Sequence, residues 1–299
     1  MNLCNIKTVK ALLSRYSTDT KKGFGQNFLI NPAVPSDIAD ESYDYHMRSH
    51  KGDTCCALEI GPGIGALTNE LCQRYDKVVA VEIDRTLIPV LGETMAEHEN
   101  FTLVNDDFLK LELDSFISEH FGNEKISVCA NLPYYITTPI IMKLLEQGKD
   151  RLVSITVMVQ REVAQRLCAT SKDSEYGAIT ASVGYYGKVK RLFDVSPSNF
   201  LPAPSVTSTV IRIELYDKNP YFVKDEGLLF DVIAGAFAQR RKTLLNSLSS
   251  SVSYIPKSRI GEIITECGFD INIRGERLSV NDFCTLANAI FDEKSKRTI

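Results

Sequence analysis

Between residues 55 and 160, short apolar runs alternate with longer stretches in which apolar residues recur every three or four positions. TCCALEI (54–60), KVVAVEI (77–83), FTLVN (101–105), KISVCA (125–130) and LVSITVMVQ (152–160) have the length and near-continuous apolar character of strands buried on both faces. ALTNELCQRY (66–75), RTLIPVLGETMAEH (85–98) and TPIIMKLLEQG (138–148) have helical spacing instead. Strands and helices in strict alternation predict a parallel sheet wrapped by helices, hence an α/β fold. STVIRIELY (208–216) is expected to close that sheet, and KNPYFVKDEG (218–227) reads as a linker. Helical patterns then follow at 227–249, 257–267 and 279–292. The expected organisation is therefore an α/β domain over 1–214 and a small C-terminal helical domain over 215–299.

Composition narrows this picture little but excludes some functions. The chain has 299 residues, 44% apolar and 24% charged, which suits a globular protein of two domains. No apolar stretch approaches the roughly 20 residues that cross a bilayer. Lys7, Lys10 and Arg15 interrupt the first apolar residues, so no secretory leader is expected and the cytosol is the expected location. The eight cysteines form no CxxC pair and are expected to be reduced and structural. His46 and His50 share a helical spacing without the carboxylate of a zinc helix, so no metal site is expected. The net charge of −4 disfavours a wholly basic coat. Local basic clusters nevertheless keep RNA in view: Lys7, Lys10, Arg15, Lys21 and Lys22 near the start, KVKR (188–191), and QRRK (239–242).

Candidate chemistry gathers at the ends of the expected strands. ALEIGPGIGALT (57–68) runs from a strand ending in Glu59, through Gly61, Gly63 and Gly65, into a helix, a turn that lets backbone approach a ligand closely. With Ala66 it also satisfies the dinucleotide fingerprint, so alone it does not separate one nucleotide-like cofactor from another. The next strand ends in Glu82, placed to accept both hydroxyls of a ribose, and the third in Asp106 and Asp107, suited to an adenine amino group. Glycine, Glu and Asp on three successive strand ends favour S-adenosylmethionine over NAD. The fourth strand ends in NLPYYITTP (131–139), beside the position of the reactive methyl. An Asn oxygen and a backbone carbonyl before or at Pro133 can accept the two N–H bonds of a nucleobase amine, while Tyr134 stacks on the ring. No strong base is required, because the proton can leave after the methyl has moved.

These motifs resemble those of the ribosomal RNA adenine N6-dimethyltransferases, in particular the small-subunit members, over nearly the whole chain. KKGFGQNFLIN (21–31) looks like the family's amino-terminal cofactor motif, and NLPYYITTP looks like its catalytic loop. SNFLPAPSVTSTVIRI (198–213) resembles the motif whose Phe stacks on the target base, while AFAQRRKTLLNSL (236–248) and IRGERLSVNDFCTLANAI (273–290) resemble its helical domain. The resemblance implies a Rossmann-like methyltransferase sheet. It implies S-adenosylmethionine contacts from Asn27, Leu29, Gly61, Glu82, Asp107 and Asn131, with Asp107 preferred to Asp106 because DFLK follows the family's D-x-L-K pattern. It also implies a catalytic loop of Asn131, Leu132, Pro133 and Tyr134, with Phe200 facing Tyr134 across the base; the prolines of LPAP agree with a displayed aromatic.

The implied reaction gives N6,N6-dimethyladenosine at two adjacent adenosines in the 3′-terminal hairpin of small-subunit ribosomal RNA. The implied partner is small-subunit ribosomal RNA, bare or in the immature small subunit, and a monomer is the default expectation. Lys21, Lys22, Arg240, Arg241 and Lys242 are candidate phosphate contacts, the last three expected on one apolar helix. A macrolide-resistance methyltransferase acting on large-subunit RNA is the nearer rival, disfavoured by the GERLSV segment. A ribosome-assembly factor whose docking outweighs its chemistry is the other.

Overall fold

The computed structural model describes residues 1–16, 26–50, 54–239 and 241–297. Contacts divide the chain into two compact units, Met1–Ala164 with Val189–Leu215, and Gln165–Lys188 with Tyr216–Ile299.

Seven strands form one sheet, in the first unit except for the first two residues of β7: β2 (Cys56–Ile60), β3 (Lys77–Val81), β4 (Phe101–Val104), β5 (Ile126–Asn131), β6 (Leu152–Gln160), β7 (Gly187–Val195) and β9 (Ser208–Leu215). Two further short strands, β1 (Phe28–Leu29) and β8 (Phe200–Leu201), pair antiparallel with each other. The spatial order of the large sheet is β4-β3-β2-β5-β6-β9-β7. The first five strands run parallel and β9 runs antiparallel to β6. All five expected apolar runs are strands, and β2 is buried at every position, as a strand covered on both faces must be. STVIRIELY does not close the sheet. It lies inside it, and the edge is β7, which contains the KVKR cluster. Alternating charge hides that strand in the sequence. In the structure Lys190 pairs with Glu214 at 2.9 Å and Arg191 with Asp194 at 2.5 Å.

Arg212 of β9 is nearly buried, held by Glu41 at 2.8 Å and Glu214 at 3.0 Å. Its guanidinium lies 4.6 Å from the ring centre of Tyr45, which ties the helix Ala33–Ser49 to the sheet. The helix Ile6–Arg15 buries Val9, Leu12 and Leu13 in a cluster with Phe28, Ile64, Leu87 and Leu91. Tyr16 donates to Glu93 at 2.7 Å and Arg15 pairs with the same carboxylate at 2.6 Å.

The second unit is mainly helical and larger than expected, because the residues from Gln165 to Lys188 belong to it. A single boundary after residue 214 therefore needs correction. Tyr176 donates its hydroxyl to the Leu278 carbonyl at 2.9 Å, and the Tyr186 ring stacks on Phe230 at 5.6 Å. These distant partners were not visible in local periodicity. The pattern at 227–249 is also two helices, Glu226–Phe237 and Leu244–Ser251. Thr243 begins the second by accepting the Asn246 amide at 3.4 Å. Arg241 and Lys242 thus sit in the turn between helices, exposed, not on an apolar helix. Among the described residues no helix is long and apolar enough to cross a membrane.

Candidate active site

The strand order reverses between β2 and β5, and open α/β sheets bind ligands in the crevice beyond such a switch. A cleft of about 1120 Å³, open mouth included, lies there. Its floor is the glycine turn after β2. Gly61, Gly63 and Gly65 have φ of 70°, 62° and 93°, a left-handed region that side chains disfavour. Gly65 then starts the helix Ala66–Cys72. The Gly61 amide donates to the Val81 carbonyl at 3.0 Å, so the turn is tied to the end of β3.

Asn27, Leu29, Gly61, Glu82, Asp107 and Asn131 all line this one cleft, as do Asp106, Leu132, Pro133 and Tyr134. Glu82 is 5% exposed; its two oxygens accept the Gly63 amide at 3.2 Å and the Asp84 amide at 2.8 Å. Burial raises its pKa and those backbone donors oppose the rise. Asp107 accepts the Leu109 amide at 3.0 Å, which caps a single 3-10 turn, and is half-buried, whereas Asp106 is exposed. Leu29 buries its side chain in the core, so its contribution to the cleft is chiefly backbone.

Asn131 ends β5 and donates its side-chain nitrogen to the Asn27 carbonyl at 3.2 Å. That bond orients the amide and leaves Oδ1 to accept. The Pro133 carbonyl is already engaged by the Ile136 amide at 3.2 Å and the Thr137 hydroxyl at 3.2 Å. Of the two carbonyls considered as second acceptor, the one at Leu132 is therefore the better placed. Tyr134 is half-buried, its hydroxyl 2.7 Å from Ser208 Oγ, and burial raises its pKa while that bond lowers it.

Phe200 does not face Tyr134 across open space. It is 3% exposed and lies in the core with Leu29, Val34, Val195 and Val210, paired through β8 with Leu29 of β1. The prolines after it stand in a loop, but the ring is buried in the core cluster, and no local signal reveals the pairing of β8 with β1. The aromatic displayed at the cleft mouth is Tyr135, 60% exposed. Of the candidate phosphate contacts, Arg241 and Lys242 are exposed, while Lys21, Lys22 and Arg240 lie outside the described residues.

Residues 17–292 match the sequence model of the family described as ribosomal RNA adenine dimethylase. The chain belongs to that family. A relative from Alkaliphilus oremlandii named ribosomal RNA small subunit methyltransferase A is 43% identical over 282 residues, covering 94% of this chain and 96% of its own. One of the same name from Bacillus mycoides is 43% identical over 288 residues, covering 95% and 96%. Among solved structures, a dimethyladenosine transferase from Plasmodium falciparum superposes with TM-score 0.70 at 24% identity over 91% of this chain and 98% of its own. The 23S rRNA methyltransferase ErmE superposes with TM-score 0.65 at 22% identity, over 89% and 100%. Both likenesses show the fold, a Rossmann-like α/β sheet with added helices.

The adenine dimethylase cofactor is S-adenosylmethionine, and the cleft fits it. A buried carboxylate held by two amides, a left-handed glycine turn and a pair of acids stand at the ends of three adjacent strands. Glu59, which carries no expected role in the glycine motif, is also in the cleft lining, 1% exposed near the end of β2. Its place in a buried strand was the available signal, since a carboxylate there needs a reason.

Proposed function

We propose that this chain transfers methyl groups from S-adenosylmethionine to N6 of two adjacent adenosines in the 3′-terminal hairpin of small-subunit ribosomal RNA. The product is N6,N6-dimethyladenosine at each. Its substrate is the immature small subunit, met in the cytosol by a monomer. The relatives named for small-subunit methylation, at 43% identity over nearly the full chain, support the choice of RNA.

The observation that carries the chemistry is the uncharged loop at the end of β5, set across the switch point from the glycine turn. Bound S-adenosylmethionine supplies an electrophilic methyl on a sulfonium. Asn131 Oδ1 and the Leu132 carbonyl accept the two amino protons of adenine, which turns the nitrogen lone pair toward that methyl. Tyr134 offers its ring face to the base, with its hydroxyl anchored by Ser208. Bound, the cofactor would supply the methyl and keep the electron pair of the bond it loses; the two acceptors would hold N6 in line for it, and the extra proton on N6 would pass to water. A monomethylated amine retains one N–H, so either acceptor alone can orient the second transfer.

On the RNA side, extruding a base costs a few kcal/mol, less in a hairpin loop, and aromatic stacking offsets it. Arg241 and Lys242 in the helical unit are proposed phosphate contacts.

Unmethylated small subunits and, separately, large-subunit RNA are offered with labelled S-adenosylmethionine, and modified nucleosides are mapped. Label on the two adjacent small-subunit adenosines is expected. Asn131→Ala should lower transfer roughly 100-fold or more, as loss of an aligned hydrogen-bonding group does, with the protein still folded. Label confined to large-subunit RNA would overturn the proposal.

A further inference from the structure

Lys143 is not part of the cleft lining, yet it grips the turn that carries two of the cleft's acids. The helix Thr137–Gly148 begins where the NLPYYITTP loop ends, and its Ile140 lines the cleft. Lys143 comes three residues later, on the same face of that helix, and is half-buried. Its ammonium donates to the Leu109 carbonyl at 2.8 Å and to the Leu111 carbonyl, and it lies 5.8 Å from the ring centre of Phe108. The two carbonyls span the end of the 3-10 turn Phe108–Lys110 that Asp107 caps.

The place of that turn in the sheet makes an anchor necessary. β4 is an edge strand, paired with β3 on one side, so the chain leaving it lacks a strand to hold its other side. The Asp107 carboxylate is oriented through Oδ1, which accepts the Leu109 amide at 3.0 Å. Leu109 is therefore fixed at both ends, its amide on Asp107 and its carbonyl on Lys143. Oδ2 of Asp107 faces the Lys110 ammonium at 3.5 Å, but Lys110 is 80% exposed and water screens such a pair. That oxygen can take an N–H donor from a ligand. Asp106, Asp107, Phe108 and Leu109 all line the cleft, so a shift of the turn moves one whole stretch of its wall.

We propose that Lys143 is a positioning residue for the cofactor's adenine: from the helix that follows the catalytic loop, it holds the turn that aims Asp107 at the exocyclic amine. This rests on the reading of Asp107 as the acid that takes that amine. An ammonium suits the role, because its three N–H donors serve two carbonyls at once while the aliphatic stem lies along apolar surface. A charged donor also bonds a carbonyl more strongly than a neutral one, so the grip tolerates partial contact with water. The catalytic loop has anchors that do not involve Lys143: Asn131 donates to the Asn27 carbonyl, and Thr137 to the Pro133 carbonyl. The lysine should therefore govern cofactor affinity and leave the chemical step alone.

Calorimetry of the full chain compares S-adenosylhomocysteine with its purine-riboside analogue, which carries hydrogen in place of the amino group. Lys143→Met matches the stem and removes the ammonium. It should bind S-adenosylhomocysteine about tenfold or more weakly than wild type and the analogue within about twofold of wild type, since only the aim at the amine is lost. In transfer assays KM for S-adenosylmethionine should rise by the same factor, with kcat at saturating cofactor within about twofold of wild type. Lys143→Arg keeps charged donors and should restore the affinity. Equal weakening of both ligands would mark general damage to the fold and overturn the proposal, as would unchanged binding of both. Should Lys143→Met fail to fold, Lys143→Gln, with a neutral amide for one carbonyl, carries the same comparison. Equal affinity of wild type for the two ligands would overturn the reading of Asp107 and the proposal with it. Binding of neither would overturn the cofactor assignment.

Discussion

Replacing Phe200 by Ala separates a ring that holds the fold together from one offered to RNA. The ring is 3% exposed among Leu29, Val34, Val195 and Val210, so truncation removes a buried benzyl group and leaves a cavity. Such changes cost about 3–5 kcal/mol, a large part of the roughly 5–15 kcal/mol that a domain has in total. The loss is not confined to β8. Leu29 is paired with Phe200, and Phe28 and Leu29 line the cofactor cleft, so cofactor binding should weaken as well. Phe200→Leu keeps most of the apolar volume and should cost less than about 1.5 kcal/mol.

The chain has no Trp, so urea unfolding is best followed by circular dichroism, alongside methyl transfer to small subunits. The expected result is strong destabilisation for Phe200→Ala, with stability and transfer near wild type for Phe200→Leu. A ring stacked on the base would give the opposite: Phe200→Ala within about 0.5 kcal/mol of wild type, as for surface changes, and transfer lost in both variants. That outcome would refute the burial argument.

Tyr135→Ala should weaken small-subunit binding or kcat/KM by roughly 5- to 100-fold, as loss of one stacking aromatic does, while leaving cofactor affinity unchanged; Tyr135→Phe should behave as wild type. An unchanged kcat/KM for Tyr135→Ala would show that its 60% exposed ring meets no base. Glu59 also sets a pH dependence on the free protein. Burial lifts its folded pKa from the ordinary 4.5 to about 8, so it favours the folded state fully below pH 4.5, and that contribution is lost as pH rises toward 8. The slope is at most about 1.4 kcal/mol per pH unit in that window. Glu59→Gln should therefore gain in melting temperature over wild type between pH 5 and 8 in the absence of cofactor. Parallel melting curves across that range would contradict the buried, unsatisfied placement.

How far the sequence reached differs from one element to the next. β2 to β6 were legible because strands buried on both faces must be almost wholly apolar, and the glycine turn because left-handed backbone demands glycine. Gly61, Glu82, Asp107 and Asn131 converge on one cleft because strand ends in a parallel sheet all point to the same edge, and Asn27 and Leu29 reach it from the separate β1 segment. β7 escaped notice because its charged residues break the apolar pattern of a strand, and Glu214, which neutralises Lys190, lies outside any local window.

The sequence by itself determined the alternation of elements, the chemical kind of each strand end and the family, because each is written in residues near one another in the chain. Only the tertiary structure decided that Phe200 is covered, that Tyr135 is displayed, and that Glu59 lies in the core with one oxygen unsatisfied. The physical reason is the same in all three. Exposure and hydrogen-bond satisfaction belong to pairs of surfaces brought together by folding, and β1 reaches Phe200 across some 170 residues of chain that no periodicity can span.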